Sequence, residues 1–562
     1  MIIGLDVGGT HTDVVLLGDK GLLREIKVVT NHSDLFSTVL TGLEKITENI
    51  DSSKIKRAVL STTLTTNAIV QRKIPQVGMI VSSGPGIDPE QFRTNSYFFT
   101  VSGSIDHRGR EIKPIDEKQI VSIAGYLKKE GIRHVGIVSK FSVRNPAHEL
   151  KIRQIIKDEF EMVFLGHQIS GSLNFPRRIS TTYLNAAVYP LHKDFFNAVQ
   201  KSLKQKGLKI PIHILKADGG TMNFEASIDF PGQSILCGPA ASAMGAMVFA
   251  PGNKEVLVMD IGGTTTDMAV LLDKVPVLEP LGIQIGGYKT LIRSLQTHSI
   301  GLGGDSVIRV SDGRLEIGPD RVGPAMAYGG SGPTPTDALF VLNIIRDGDR
   351  QKALEGIQQI AAALQADAEE TARQIVDTVC ATILREARHL IDQINSKPVY
   401  TIHELREGCF VRPEKILVLG GPAPFFAERL NQVSGYDVEV VPKWQVANAI
   451  GAALARTTCE VTLFADTERE IATAPEENFV AMVNKDFSRQ DAREKAFELL
   501  REKALGKGAS AEDLEMEIIE DQQFNMVRGF YTTGKNIRIK VQVRPGLIHG
   551  YEGIAGELLS HE

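Results

Sequence analysis

One octapeptide occurs twice in this chain. Asp6-Val7-Gly8-Gly9-Thr10-His11-Thr12-Asp13 and Asp260-Ile261-Gly262-Gly263-Thr264-Thr265-Thr266-Asp267 agree at six of eight positions, 254 residues apart. Internal repetition constrains a fold more than any single motif does. Each copy follows a short apolar run, at 2–5 or 256–259, and precedes another, at 14–17 or 268–272. Each therefore reads as strand, tight Gly-Gly turn, strand. A Walker loop or a dinucleotide fingerprint opens a helix after its glycines, so neither is expected here. The physics is related: a turn without side chains lets backbone N–H groups approach phosphate oxygens, and Thr10, Thr12, Thr264, Thr265 and Thr266 add hydroxyl donors. An Asp ending the preceding strand would repel a phosphate, but it can hold hydrated Mg²⁺ against one. Asp6 and Asp260 are thus the expected metal-side pair. Gly-Gly and Asp-Gly are also ordinary hairpin dipeptides. The doubling, with matching Thr and Asp flanks, points instead to two related lobes clamping one nucleotide.

Composition narrows the field. A chain of 562 residues corresponds to about three or four domains. Lys plus Arg number 63 against 68 Asp plus Glu, a net charge of −5 without long single-sign blocks, so no nucleic-acid partner is expected. Cys237, Cys380, Cys409 and Cys459 are widely spaced without a CxxC pair. They read as reduced, buried residues of a cytoplasmic protein, not as a disulfide or metal framework. The opening residues carry no basic stretch of a secretion signal, and no apolar run reaches the ~18 residues of a membrane span. The 13 histidines form no HExxH; His11 and His298 could touch phosphate or substrate, or serve as hydrogen-bonded structural groups. No GxSxG elbow is present, and Cys237 has no base near it in sequence, which argues against a nucleophilic role.

Further motifs follow the repeat. Residues 416–424, Ile-Leu-Val-Leu-Gly-Gly-Pro-Ala-Pro, form a strand ending in Gly420-Gly421. Residues 447–454, Ala-Asn-Ala-Ile-Gly-Ala-Ala-Leu, are small, and residues 299–305 include Gly303-Gly304-Asp305. In kind and order these resemble the actin, sugar-kinase and chaperone ATPase superfamily. That resemblance implies an α/β fold of two ribonuclease-H-like lobes, with Gly420 and Gly421 seating adenosine, residues 447–454 as the second connecting helix, and the Gly303 loop facing the nucleotide. Within the superfamily the chain is similar to the hydantoinase A/5-oxoprolinase family over most of residues 1 to about 458. The similarity rests on residues 59–68 (VLSTTLTTNA), 237–246 (CGPAASAMGA), 317–319 (IGP) and 333–338 (PTPTDA), together with the Asp260 and Gly303 loops. Three positions depart from the family pattern: Leu60 replaces a His, Asp305 a third Gly, and Phe426 another His.

Three segments are expected: an N-terminal lobe over 1–178, a second lobe with the ATP site over 179–458, and a small C-terminal α+β domain over 459–562. A helix is expected from about 34 to 50, one or two amphipathic helices over 353–395, a helix from about 488, and a strand over 537–543. Residues 82–86 and 106–110 read as polar loops, suited to substrate contact or to plain solvation. Arg177-Arg178 suits an anion or a salt bridge, and the Gly238-Pro239 turn could present a helix N-terminus to substrate.

The resemblance implies an ATP- and Mg²⁺-dependent hydrolase subunit that opens a cyclic amide (a hydantoin or 5-oxoproline-like lactam) through a phosphorylated intermediate, and that works with a B-type hydantoinase subunit as a hetero-oligomer. An ATP-dependent carboxylase subunit, a small-molecule kinase and a regulatory ATPase remain open on the same fold. Asp13 and Asp267 could orient the attacking group or brace their loops.

Overall fold

The computed structural model describes residues 1–31, 33–252, 254–279, 281–396 and 410–560; Cys409 lies outside them. Two of its sheets share one topology. In the first, strand Ile2–Val7 pairs antiparallel with His11–Gly18, which pairs with Gly21–Val29, while its other edge runs parallel to Arg57–Thr62. Ile212–Leu215 adds a further parallel strand and Thr221–Asn223 closes the edge. In the second sheet, Glu255–Ile261 pairs antiparallel with Thr266–Leu272 and parallel with Lys415–Leu419, which is followed by Asp437–Val440. Three antiparallel strands followed by parallel ones is the ribonuclease-H-like order, and both octapeptides form hairpins as expected. Their central strands are buried beyond the first residue, which is why they read as apolar runs without alternation.

Helices Cys237–Phe249 and Ala447–Leu454 lie between these sheets. Their Ala and Gly residues allow backbone contact: a β-carbon on Gly451 would stand 2.2 Å from the Gly245 nitrogen, and one on Gly4 would stand 1.9 Å from the Ala449 carbonyl oxygen. The surrounding apolar cluster takes Val15, Leu17 and Val59 from one sheet and Val256, Val258, Leu417 and Leu419 from the other. Burying each such side chain contributes roughly 1.5–3 kcal/mol, so the two lobes share a packed core behind their cleft.

Sheet membership does not change at residue 178. Helix Phe175–Gln205 runs through that position, and strands Ile212–Leu215 and Thr221–Asn223 still belong to the first sheet. The passage to the second sheet comes between 223 and 255. A four-stranded parallel sheet, ordered Met162–Leu165, His134–Ser139, Gly78–Ser82, Phe98–Thr100, is inserted in the first lobe. Of this inserted region the sequence marks only two polar loops. One follows strand Gly78–Ser82; the other is a turn in which Asp106 accepts from the Arg108 and Arg110 backbone N–H groups, both at 2.9 Å.

The expected helices are present as Leu35–Thr47, Arg350–Leu364, Ala368–Asn395 and Arg489–Gly506, the last capped by Ser488 and Asp491. Residues 460–543 form a five-stranded antiparallel sheet that includes Tyr531–Val543, packed on helix Arg489–Gly506. The chain then returns: helix Tyr551–Ser560 places Ala555 and Leu558 in the core between the lobes. Among the described residues no helix is long and apolar enough to cross a membrane.

Candidate nucleotide site

The hairpin register sets Asp6 opposite Asp13 and Asp260 opposite Asp267. Each turn closes through the same bond, Gly8 N–H to the His11 carbonyl (3.1 Å) and Gly262 N–H to the Thr265 carbonyl (2.9 Å). The two turns meet across the cleft, since a β-carbon on Gly9 would lie 3.6 Å from Thr264 Oγ1. Strand alternation divides the threonines. Thr10 and Thr264 are half-buried and Thr265 is exposed. Thr12 and Thr266 are fully buried: Thr12 shares a 2.9 Å hydrogen bond with Thr30, and Thr266 donates to the Leu302 carbonyl at 2.7 Å. The latter two hold their loops and do not line the cleft.

Asn448 joins the lobes. Its side-chain amide donates to Asp260 Oδ2 at 2.8 Å and to Asp6 Oδ2 at 3.4 Å. The Ser242 hydroxyl also donates to Asp260 Oδ2, at 2.6 Å, and Ser61 hydrogen-bonds Asp6. Each carboxylate is only 8 % exposed, and among the described residues neither forms an ion pair. Burial pushes Asp6 up to about 7, with the charges of Asp13 and Asp260 adding to it. Burial raises Asp260 as well, against the lowering effect of Ser242 and Asn448. Two buried carboxylates from different lobes, lacking a cationic side chain, suit a hard divalent cation. The approach to Asp260 is kept free of side chain by Gly420 (φ +95°), where a β-carbon would stand 2.3 Å from Asp260 Oδ1.

The other expected residues gather around the second hairpin. Gly304 and Asp305 N–H donate to the Gly262 and Gly263 carbonyls at 3.0 and 2.7 Å, and a β-carbon on Gly303 would stand 2.4 Å from the Gly262 carbonyl oxygen. Gly304 is fixed in turn by Thr336, whose N–H and hydroxyl both donate to its carbonyl. Asp337 holds that segment by accepting from the Thr334, Met326 and Ala327 backbone N–H groups. Asp305 pairs with Arg321 at 2.9 Å, so the replacement of a third Gly brings a charge pair beside the loop. Beyond its chain neighbours, Gly421 has no heavy atom of the described residues within 4 Å of where a β-carbon would stand, which leaves an open face beside Gly420. Leu60 and Phe426 are fully buried core residues.

Asp13 and Asp267 differ. Asp13 is paired with Lys27 at 2.6 Å. Asp267 accepts from the Ser299 hydroxyl, forms no ion pair among the described residues, and is pushed up to about 7, first by burial and then by the charge of Asp260.

Several weaker sequence suggestions resolve as structural. The Cys237 thiol is buried against the Thr62 backbone, accepting from its N–H at 3.3 Å and donating to its carbonyl at 3.2 Å, and burial pushes it up to about 11. That is a neutral thiol, not a nucleophile. Arg178 is fully buried and donates to the Ser139 and Ser172 carbonyls, while Arg177 donates to those of Leu281 and Thr290. Neither is free for an anion in this arrangement. His11 is exposed at the first turn, and His298 pairs with Glu386 at 3.2 Å.

Sequence reasoning missed Asn448, Ser61, Ser242, Ser299 and Arg321 as site residues. The signal for Asn448 was present, because it is the sole polar residue in an otherwise apolar, buried helix.

The hydantoinase/oxoprolinase family profile matches residues 178–461, and the hydantoinase/oxoprolinase N-terminal region profile matches residues 2–160. The chain belongs to the hydantoinase/oxoprolinase family. Among hydantoinase/oxoprolinase relatives, caprolactamase subunit alpha of Pseudomonas jessenii is 24% identical over 491 residues, 78% of this chain and 68% of that protein. Acetophenone carboxylase gamma subunit of Aromatoleum aromaticum is 27% identical over 452 residues, 69% of this chain and 61% of that one. The crystal structure of the ATP-dependent caprolactamase from Pseudomonas jessenii superposes with a TM-score of 0.73 at 19% identity, covering 98% of this chain and 88% of that one. This likeness confirms the two-lobed α/β fold. Both sequence relatives are named as subunits, one of a caprolactamase and one of a carboxylase, so family membership alone leaves the reaction undivided.

Proposed function

We propose that the chain binds Mg-ATP between its two lobes and uses it to drive opening of a cyclic amide, of the hydantoin or 5-oxoproline-like lactam class. The observation that carries the nucleotide site is the bridge from Asn448 to one carboxylate of each lobe. In this reading Asp6 and Asp260 hold Mg²⁺ through water, and the ion, when bound, neutralises phosphate charge. The Gly8-Gly9 and Gly262-Gly263 turns, with Thr10, Thr264 and Thr265, grip the β- and γ-phosphates through N–H and O–H donors. Gly303, Gly304 and Asp305 support the second turn, and Gly420-Gly421 offers bare backbone to adenosine. Phosphoryl transfer asks mainly for positioning and charge neutralisation, which such an arrangement supplies. An unstrained lactam carbonyl is poorly electrophilic. Phosphorylating its oxygen makes the carbon electrophilic enough for water to add; the ring C–N bond then breaks, its nitrogen leaving with a proton as the amine, and a second water hydrolyses the resulting acyl phosphate to carboxylate and inorganic phosphate.

Asp267, near 7 and without a counter-charge among the described residues, is suited to accept a proton from the attacking group. Asp13, tied to Lys27, braces the first hairpin. The naming of both relatives as subunits supports a B-type partner that completes hydrolysis in a hetero-oligomer. A second reading, an ATP-dependent carboxylase subunit, is favoured by the acetophenone carboxylase relative.

The test is phosphate release by the chain together with its B-type partner. Stimulation by hydantoin or 5-oxoproline is the expected result. Stimulation by a ketone with bicarbonate, and by no cyclic amide, would overturn the lactam reading in favour of the carboxylase.

A further inference from the structure

Behind the nucleotide cleft, strand Thr297–Ile300 pairs with Thr266–Leu272, with His298 opposite Met268 and Ser299 opposite Asp267. Successive strand side chains point to opposite faces. Ser299 donates to Asp267 on one face, and His298 meets helix Ala368–Asn395 on the other, where Glu386 Oε2 lies 3.2 Å from its Nε2. His389 follows Glu386 by three residues, which puts both on one helix face. Its ring centroid is 6.0 Å from that of His298, at 74°. One ligand atom from each of His298, Glu386 and His389 can be chosen so that all lie within 4.8 Å of one another.

We propose that His298, Glu386 and His389 form a binding site for a zinc-class divalent transition-metal ion, separate from the Asp6–Asp260 pair. Two imidazoles and one carboxylate are a ligand set that zinc takes with a fourth position left for water, whereas Mg²⁺ and Ca²⁺ take oxygen. Ligands about 2.1 Å from a tetrahedral ion stand about 3.4 Å apart. His298 and Glu386 already meet that spacing. His389 is exposed, so rotation of its side chain closes the remainder without moving the core. Arg385 hydrogen-bonds the other Glu386 oxygen, Oε1, at 3.2 Å and leaves Oε2 directed at His298. A bound ion would clip the helix to the strand whose Ser299 holds Asp267.

The test is calorimetric titration of the metal-stripped full chain with Zn²⁺ in excess Mg²⁺, with Co²⁺ as a spectroscopic probe. The expected result is one ion per chain, visible-region absorption typical of a four-coordinate Co²⁺ site, and a raised Tm. His389→Ala and Glu386→Gln should each weaken binding at least about tenfold, while Asp260→Asn leaves it unchanged. Because His389 is exposed, its replacement leaves folding intact, and circular dichroism checks this. Absence of a Zn²⁺ site, equal affinity in the His389 and Glu386 variants and the parent, or loss of the site in Asp260→Asn would overturn the proposal.

Discussion

The two copies of the octapeptide fold into the same hairpin and are supported differently. The first stands comparatively open: its turn meets the opposite lobe at Thr264, and its second carboxylate, Asp13, is neutralised by Lys27. The second is buttressed from behind by residues 302–305, by Gly420 and by Ser242, and its Asp267 has no counter-charge among the described residues. One motif thus yields a braced platform in one lobe and a more open hairpin in the other. The local sequence makes the hairpin, and neighbours distant in the chain decide its role.

The largest effect should come from the platform. Asp260→Asn is expected to lower ATP turnover about 10²–10³-fold, with Asp6→Asn no more severe, because Asp260 carries the shorter Asn448 bond and the Ser242 bond. Steady-state phosphate release measures both, and a more damaging Asp6→Asn would invert the comparison. Next, Asn448→Ala removes donors shared by the two carboxylates. Hydrogen bonds to charged groups contribute about 1.5–3 kcal/mol, so Mg-ATP affinity should fall by roughly one to two orders of magnitude in calorimetry.

Steric probes separate the lobes further. Gly303→Ala drives a β-carbon to 2.4 Å from the Gly262 carbonyl oxygen and should cost about 1–3 kcal/mol in denaturant unfolding. Gly9→Ala meets nothing nearer than 3.6 Å and should stay within about 0.5 kcal/mol. Similar losses in both would erase the contrast.

The pH dependence of the ligand-free chain follows from Asp6 and Asp267, each raised from 3.8 to about 7. Between those values the folded chain retains protons that the unfolded chain has released. Their contribution to stability is complete below about pH 4 and lost as the pH rises through about 7. Tm should therefore fall between about pH 4 and pH 7, and Asp267→Asn should flatten that slope. The smallest effect belongs to Cys237→Ala: with a neutral, buried thiol held on the Thr62 backbone, ATP turnover by the folded variant should match the parent.

The doubled hairpins, the Gly-Gly strand end and the Ala-rich connecting helix were legible because their chemistry lies within eight or nine consecutive residues. The inserted parallel sheet was not, since the short buried runs 78–82 and 134–139 gain meaning only when paired. The lobe boundary was read at 178, where the family profile also begins, yet strand Ile212–Leu215 crosses back to pair with Arg57–Thr62. Thr12 and Thr266 share a motif with more accessible threonines, and only the strand pairing shows that they turn inward. Asn448 and Ser242 lie on helices that reach the carboxylates only through tertiary packing, so their function could not be assigned from local spacing. Asp305 stood out as a departure from the family pattern, but its partner Arg321 became visible only in space.

The most direct test of the central claim, one Mg-ATP site built from a carboxylate of each lobe, is calorimetric ATP binding with and without Mg²⁺ in the parent, Asp6→Asn and Asp260→Asn. The account predicts one ATP per chain, bound more tightly with Mg²⁺ by the parent, and loss of that Mg²⁺ dependence in each single variant. Undiminished Mg²⁺-dependent binding in either variant would contradict it.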